Sequence, residues 1–339
     1  MNDDRVERWT FARRPFLLFG LLIFCSLIAA AQTCLSGNDL DATTRSALEN
    51  TAKRYLEMAA RGDTAALQQS AIPSVAADFS EIETAVKDNQ SAFAGAQATP
   101  RSSFLLEVDA NAPSHLEFLC GVFGRNGQTS NSSEFVLNNL PQGKYGLVIL
   151  DVKGAKDSRT LTLILQQMGA DWKLAGFYAR SAQLNGHDGT WFAQKAREFK
   201  SKGQLHNAWL YYREAIELSS PVDFMSTLAT DNLYSEAQSV QPSDLPGGGN
   251  TVDLSVAGKT YKLTTIFPLA VGNDLDVVVK YQAADVSNSA LTFQENANVM
   301  KGLLAKFPEL RDAFAGIVVR AVEASGRDYG SMLPMDKIK

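Results

Sequence analysis

Between residues 102 and 180 the chain changes its hydrophobic period, and this change limits most of what it can fold into. Six segments there are "SSFLLEVDA", "HLEFLCGVF", "SEFVLNNL", "YGLVILDVK", "RTLTLILQQM" and "WKLAGFYAR". Each is short, rich in β-forming side chains and bounded by Gly, Pro, Asn or Asp, the pattern of strands between turns. The connections are too short for crossover helices, apart from the polar loop "GRNGQTSNSS". The sequence therefore predicts a mostly antiparallel sheet with helices packed on one face, an α+β architecture.

The helices lie upstream. From about Asp41 to Arg61, Leu48, Ala52, Tyr55, Leu56 and Ala59 recur at helical spacing, with Gly62 as the stop. A second helical region, roughly Thr64 to Phe93, is interrupted near Pro73. Two motifs, "AKRYLEMAARGDTAALQQ" and "GADWKLAGFYAR" with Trp172, Leu174 and Phe177, resemble the nuclear-transport-factor-like (SnoaL-like) superfamily. That resemblance, over residues 39–182, implies a cone-like curved antiparallel sheet wrapped around helices. The superfamily holds enzymes, binding modules and dimerisation domains, so the resemblance implies no single activity.

Residues 190–240 read as a helical segment. "WFAQKAREFKSKGQLHNAWLYYREAIELSSP" resembles one tetratricopeptide repeat. Phe192, Ala196 and Phe199 match its first helix, Gly203 its turn, and Leu205, Ala208, Tyr212 and Ala215 its second. Repeats of this kind need stacked neighbours for stability, and one copy is clear. After the turn-rich "QPSDLPGGGN", residues 250–335 read as a small α+β domain of three strands, a helix around Val299, Leu303 and Leu304, a short helix after Pro308 and a last strand "IVVRAVEA".

Residues 1–31 read as an export signal. "MNDDRVERWTFARR" is a charged start, Pro15 to Ala31 is an apolar run without a charge, and Ala29 and Ala31 form an A-x-A cleavage site. The apolar run favours the general secretory route over the twin-arginine route that "RRPFLL" suggests. Retention of residues 15–31 as a membrane anchor, and lipidation at Cys34, are the alternatives. The localisation expected is periplasmic or envelope-associated. Export leaves Cys34 and Cys120, which an oxidising compartment could pair. The favoured reading keeps them apart, Cys34 in a flexible start and Cys120 as a small hydrophobe in a strand.

The motif search assigns no catalytic residue, metal site or cofactor. "GKT" at 258–260 lacks the upstream glycine and following helix of a phosphate loop. The three histidines show no metal-ligand spacing, and a net charge of -5 argues against nucleic acid. Two candidate sites remain. Trp191, Trp209 and Tyr211 are aromatic anchors of the kind that hold a protein partner, weighed against a role in core packing or as a brace. Tyr55, His115 and Glu117 are polar groups that a pocket in the cone could gather, with His115 and Glu117 sharing one face of a strand. The reading is an exported envelope protein, non-enzymatic, acting in interaction or assembly with another envelope protein. The alternative is a small-molecule binding protein or enzyme using the cone.

Overall fold

The computed structural model describes residues 33–125, 127–154, 158–247 and 249–339. Residues 1–31, read from the sequence as an export signal with its apolar run, lie outside the described residues. Among the described residues no helix is long and apolar enough to cross a membrane.

The first body begins with β1 (Thr33–Ser36) and four helices, α1 (Ala42–Ala60), α2 (Thr64–Gln69), α3 (Pro73–Ala77) and α4 (Ser80–Phe93). Asp41 caps α1 by accepting from the Thr44 N–H, and Gly62 turns the chain at a φ of 70°. Six strands follow as expected: β2 (Gln97–Val108), β3 (His115–Gly121), β4 (Ser132–Asn138), β5 (Gly143–Lys153), β6 (Ser158–Met168) and β7 (Asp171–Ser181). They do not form one sheet. The main sheet runs β1-β2-β5-β6-β7, and β3 and β4 leave it to make a second sheet.

The reason lies in the central strands. β5 and β6 are buried at nearly every position from Tyr145 to Leu150 and from Thr160 to Leu165. A strand apolar on both faces needs cover on both. Leu105, Val148, Leu150, Leu161 and Leu163 face α1–α4 in one core. Phe104, Leu106, Leu147, Ile149 and Ile164 face Leu116, Phe118, Cys120 and Phe135 of the second sheet in another. The body is thus helices, sheet, sheet.

Cys34 and Cys120 form a disulfide across these layers, with Cα atoms 5.1 Å apart. This corrects the expectation of two separate thiols. Cys34 is in a strand, not a flexible start: β1 pairs with β2 from Thr33↔Glu107 to Ser36↔Phe104. That register sets its sulfur over β3. A sulfur held in this bond is not free to carry a lipid.

After the short pair β8 (Gln183–Leu184) and β9 (His187–Asp188), helices α5 (Gly189–Ser201) and α6 (Leu205–Ser219) form the hairpin. The chain then makes β10 (Met225–Ser226), which extends the second sheet beside β4, and α7 (Leu228–Gln238). The last sheet runs β11 (Val252–Val256), β12 (Lys259–Val271), β13 (Asp274–Gln282), β14 (Gly316–Val322) and β15 (Asp328–Pro334) in that order. Only β13–β14 is parallel, and α8 (Ser289–Lys306) and α9 (Leu310–Ala313) make the crossover. β15 lies beyond the strand expected to be last.

The segments at 190–240 and 250–335, separated by the sequence reading, share one hydrophobic core. Phe192, Trp209, Leu210 and Tyr212 of the hairpin pack in the same cluster as Leu263, Val279, Leu303 and Ile317. Polar contacts fasten the same seam. His206 at the start of α6 lies between Glu309 (2.5 Å) and Asp244 (3.0 Å), and Asn207 donates to the Glu309 carbonyl at 2.6 Å.

Candidate functional site

The hairpin aromatics chosen from the sequence as partner anchors are mostly inside. Trp209 is 6% and Tyr211 4% exposed. The Tyr211 hydroxyl donates to the Ala313 carbonyl at 2.8 Å, and its ring meets Phe199, Phe192 and Phe314 within 6 Å. Trp209 lies against Gly247 and under the Arg213 guanidinium, 4.8 Å from the ring centre. Trp191 is half-buried and stacks on His187 at 3.8 Å. Trp209 and Tyr211 could meet a partner only by leaving the core, while Trp191 keeps part of its ring in solvent. They brace the hairpin against the C-terminal sheet.

The second candidate set does not converge. Tyr55 is buried among the helices, its hydroxyl donating to the Trp172 carbonyl at 2.9 Å. That ties α1 to β7. His115 and Glu117 stand together on the solvent side of β3, because Leu116, Phe118 and Cys120 turn the other face to the core. His115 Nδ1 is 2.9 Å from Asn138 and Nε2 3.4 Å from Glu117. These partners, Asn138 first, raise its pKa. The pair is an open surface contact, not a pocket.

A wide concavity lies elsewhere. Among the described residues β1 covers β2 only from Phe104 to Glu107, so residues 97 to 103 are paired on one side alone, with β5. Alongside this open edge runs a cleft of about 1130 Å³. One wall is the turn at 36–39 with Arg45 and Glu49 of α1. The second is the loop at 129–133 with Gly121 and Val122. The third comes from Ser219, Pro221 and the start of α7. A smaller hollow of about 390 Å³ shares Arg101 and Ser219 with it and extends to the start of α5.

Local structure explains the lining. The register of β2 against β5 shifts between Pro100 and Ser102, so Arg101 occupies a bulge. Its guanidinium reaches over β5 and β6, donating to Asp151 at 2.9 Å and to the Thr160 hydroxyl at 3.1 Å. Asp151 and Thr160 are direct cross-strand partners, so the bulge aims one cation at a prepared pair. Proline and a bulge also blunt an edge strand against pairing with another strand. A ligand here would meet side chains rather than extend the sheet. Ser103 donates to Glu49 at 3.1 Å, and Arg45 binds the carbonyls of Leu40 and Gly37. The Thr129 hydroxyl donates to the Val122 carbonyl at 2.6 Å and pins the loop.

Chemically the cleft offers many hydroxyls and amides, two cations in Arg45 and Arg101, and acids in Asp39 and Glu49. Neither sign dominates. Sequence reasoning identified the polar loop at 124–133 but not the site, because Ser36, Arg101, Ser132 and Ser219 form no motif. Among the described residues no group of three or more His, Cys, Asp or Glu side chains is placed to hold a metal ion. Comparison of this chain with family models, with curated proteins and with solved structures found no match.

Proposed function

We propose that this is an exported envelope protein that works by binding, holding an extended hydrogen-bonding segment of another envelope protein in the cleft beside β2. The observation that carries the proposal is the cleft itself. It is about 1130 Å³, larger than a drug-sized ligand needs, and open along one side. Its lining mixes serine, threonine and asparagine with apolar side chains such as Phe104, Val122 and Met225, and its charges balance, which suits a peptide segment with both polar and apolar groups better than a strong anion. The Cys34–Cys120 disulfide supports export, since such bonds persist in oxidising compartments. The helices lying on the sheet of β1, β2 and β5–β7 support the likeness to the nuclear-transport-factor-like superfamily, while the second sheet departs from it.

The test is site-specific photocrosslinking in the envelope. A photoreactive residue at Ser133 or Ser219 should capture one discrete partner, and one at Glu117, on the outer side of β3, should not. Capture from Glu117 and not from the cleft would sink the proposal.

A further inference from the structure

The Cys34–Cys120 disulfide joins two walls of the cleft. Cys34 lies just before Ser36, where the first wall begins, and Cys120 directly precedes Gly121 and Val122 of the second. Each wall is tied within itself. Arg45 donates to the Gly37 and Leu40 carbonyls, and the Val122 N–H donates to the Asn131 carbonyl at 3.2 Å. Among the described residues no hydrogen bond or ion pair runs from residues 36–39 to residues 121–122 or 129–133.

The two strands that the bond connects are held very differently. β1 has four residues and is the edge of its sheet, hydrogen-bonded to β2 alone. None of residues 33–39 is buried, and the next anchor along the chain is Leu40, 2% exposed. Cys34 and Leu35 reach only the margins of the two cores. A short edge strand with few buried contacts sits at the low end of local stability. On β3, by contrast, Leu116 and Phe118 are fully buried against the main sheet. The disulfide therefore fastens a lightly held strand to a firmly held one.

We infer that this disulfide is the fastener of the cleft's first wall, and that its reduction by a dithiol releases the wall, so that the cleft holds its segment only in the oxidised chain. The inference rests on the reading of the cleft as a binding site and adds regulation to it. Cys34 is half-buried and Cys120 is 1% exposed, so Cys34 is the residue a reductant meets. One thiolate of the dithiol attacks the Cys34 sulfur, the S–S bond breaks, and Cys120 leaves as a thiolate that takes up a proton. The second thiolate of the dithiol then displaces Cys34. The dithiol becomes a disulfide, and its two electrons and two protons end on the two cysteines. Without the bond β1 lifts from β2 as far as Leu40, and the turn at 36–39 leaves the cleft with it. The open edge of β2 then extends from residues 97–103 to Glu107.

Hydrogen–deuterium exchange tests the wall with no partner present. Reduction with dithiothreitol should speed exchange in residues 33–39 and 104–107 by about tenfold or more. It should leave β6, α8 and the circular dichroism spectrum unchanged. Unaltered exchange at residues 33–39 would overturn the inference. So would faster exchange across all of residues 33–181 or loss of the circular dichroism signal, since the bond would then stabilise the whole body rather than one wall. Photocrosslinking tests the consequence. A photoreactive residue at Ser219, on the third wall, should capture its partner in the oxidised chain and not in folded Cys34→Ser with Cys120→Ser. Equal capture from both chains would also overturn the inference. No capture from the oxidised chain would sink the reading of the cleft instead, and exchange would still decide whether the bond fastens the wall.

Discussion

Glu214 on α6 shows how one side chain gives the whole fold a pH dependence. Burial pushes its carboxyl from 4.5 up to about 7, Glu217 adds to the rise and Arg213 opposes it. The folded chain therefore holds this proton more tightly than the unfolded chain does. Its contribution is complete below pH 4.5 and is lost as pH rises to about 7. Replacing Glu214 with Gln removes the cost of the buried charge. Urea unfolding should show Glu214→Gln more stable than wild type at pH 8, by on the order of 2 kcal/mol, and no more stable at pH 4.5. Equal effects at both pH values would show that packing, not ionisation, governs this position. Neighbouring Tyr211 is set by geometry rather than charge. Its ring fills the junction of α5, α6 and α9, and its hydroxyl satisfies the Ala313 carbonyl. Tyr211→Phe should cost about 1 kcal/mol through the lost hydrogen bond, and Tyr211→Ala about 4 kcal/mol through the cavity. Denaturant midpoints give both values. Near-neutral Tyr211→Ala would mean that the hairpin aromatics are not the brace described.

At the scale of elements, what the sequence made legible was whatever local pattern decides. The α1 stripe from Leu48 to Ala59 is buried residue for residue as its spacing implied, and the six strands from β2 to β7 fall where the turn residues bound them. What it hid was pairing. β1 has four residues, too few for a period, and the partner of its Cys34, Leu106, is 72 residues further on (106 − 34). β15, "DYGSMLP", carries Gly, Ser and Pro and few β-branched residues. It is a strand because β14 needs a neighbour. The apolar runs "GLVIL" and "LTLIL" did contain a sign that the main sheet is covered twice, since alternation would have left one face polar. The cleft was hidden for a different reason. Its residues are a mixture of small polar, apolar and charged side chains without a motif, and each gains meaning only from the end of β1, the bulge at Arg101 and the ends of α6 and α7 meeting in space. Trp209 and Tyr211 misled in the opposite direction. Aromatic clusters mark interfaces and cores alike, and only burial separates the two.

Across the whole molecule, stability is divided between bodies with separate interiors. Residues 33–181 hold two cores on either side of one sheet, and the hairpin with the C-terminal sheet holds a third. The strand pairing of β10 with β4, the Tyr178–Phe224 contact at 5.4 Å and the ion pairs of Arg180 with Glu217 and Asp223 cross the junction. Val136 N–H also donates to the Phe224 carbonyl, Gln128 to Ser226, and Phe224 and Met225 pack on the first body's second core; the interiors nonetheless stay separate, so the bodies should unfold in separate steps rather than one. The disulfide acts on only one of them. It closes 86 residues within the first body, a loop length for which chain entropy gives about 4.6 kcal/mol. Calorimetry of the oxidised protein should therefore show two transitions. Cys34→Ser with Cys120→Ser should lower one of them and leave the other in place, and Tyr211→Ala should move the one that the cysteine variant left. A single transition shifted by both variants would mean that the junction carries far more energy than its contacts suggest. It would also mean that the cleft wall at Ser219 and Pro221 is held as firmly as the strands of the sheet beneath it.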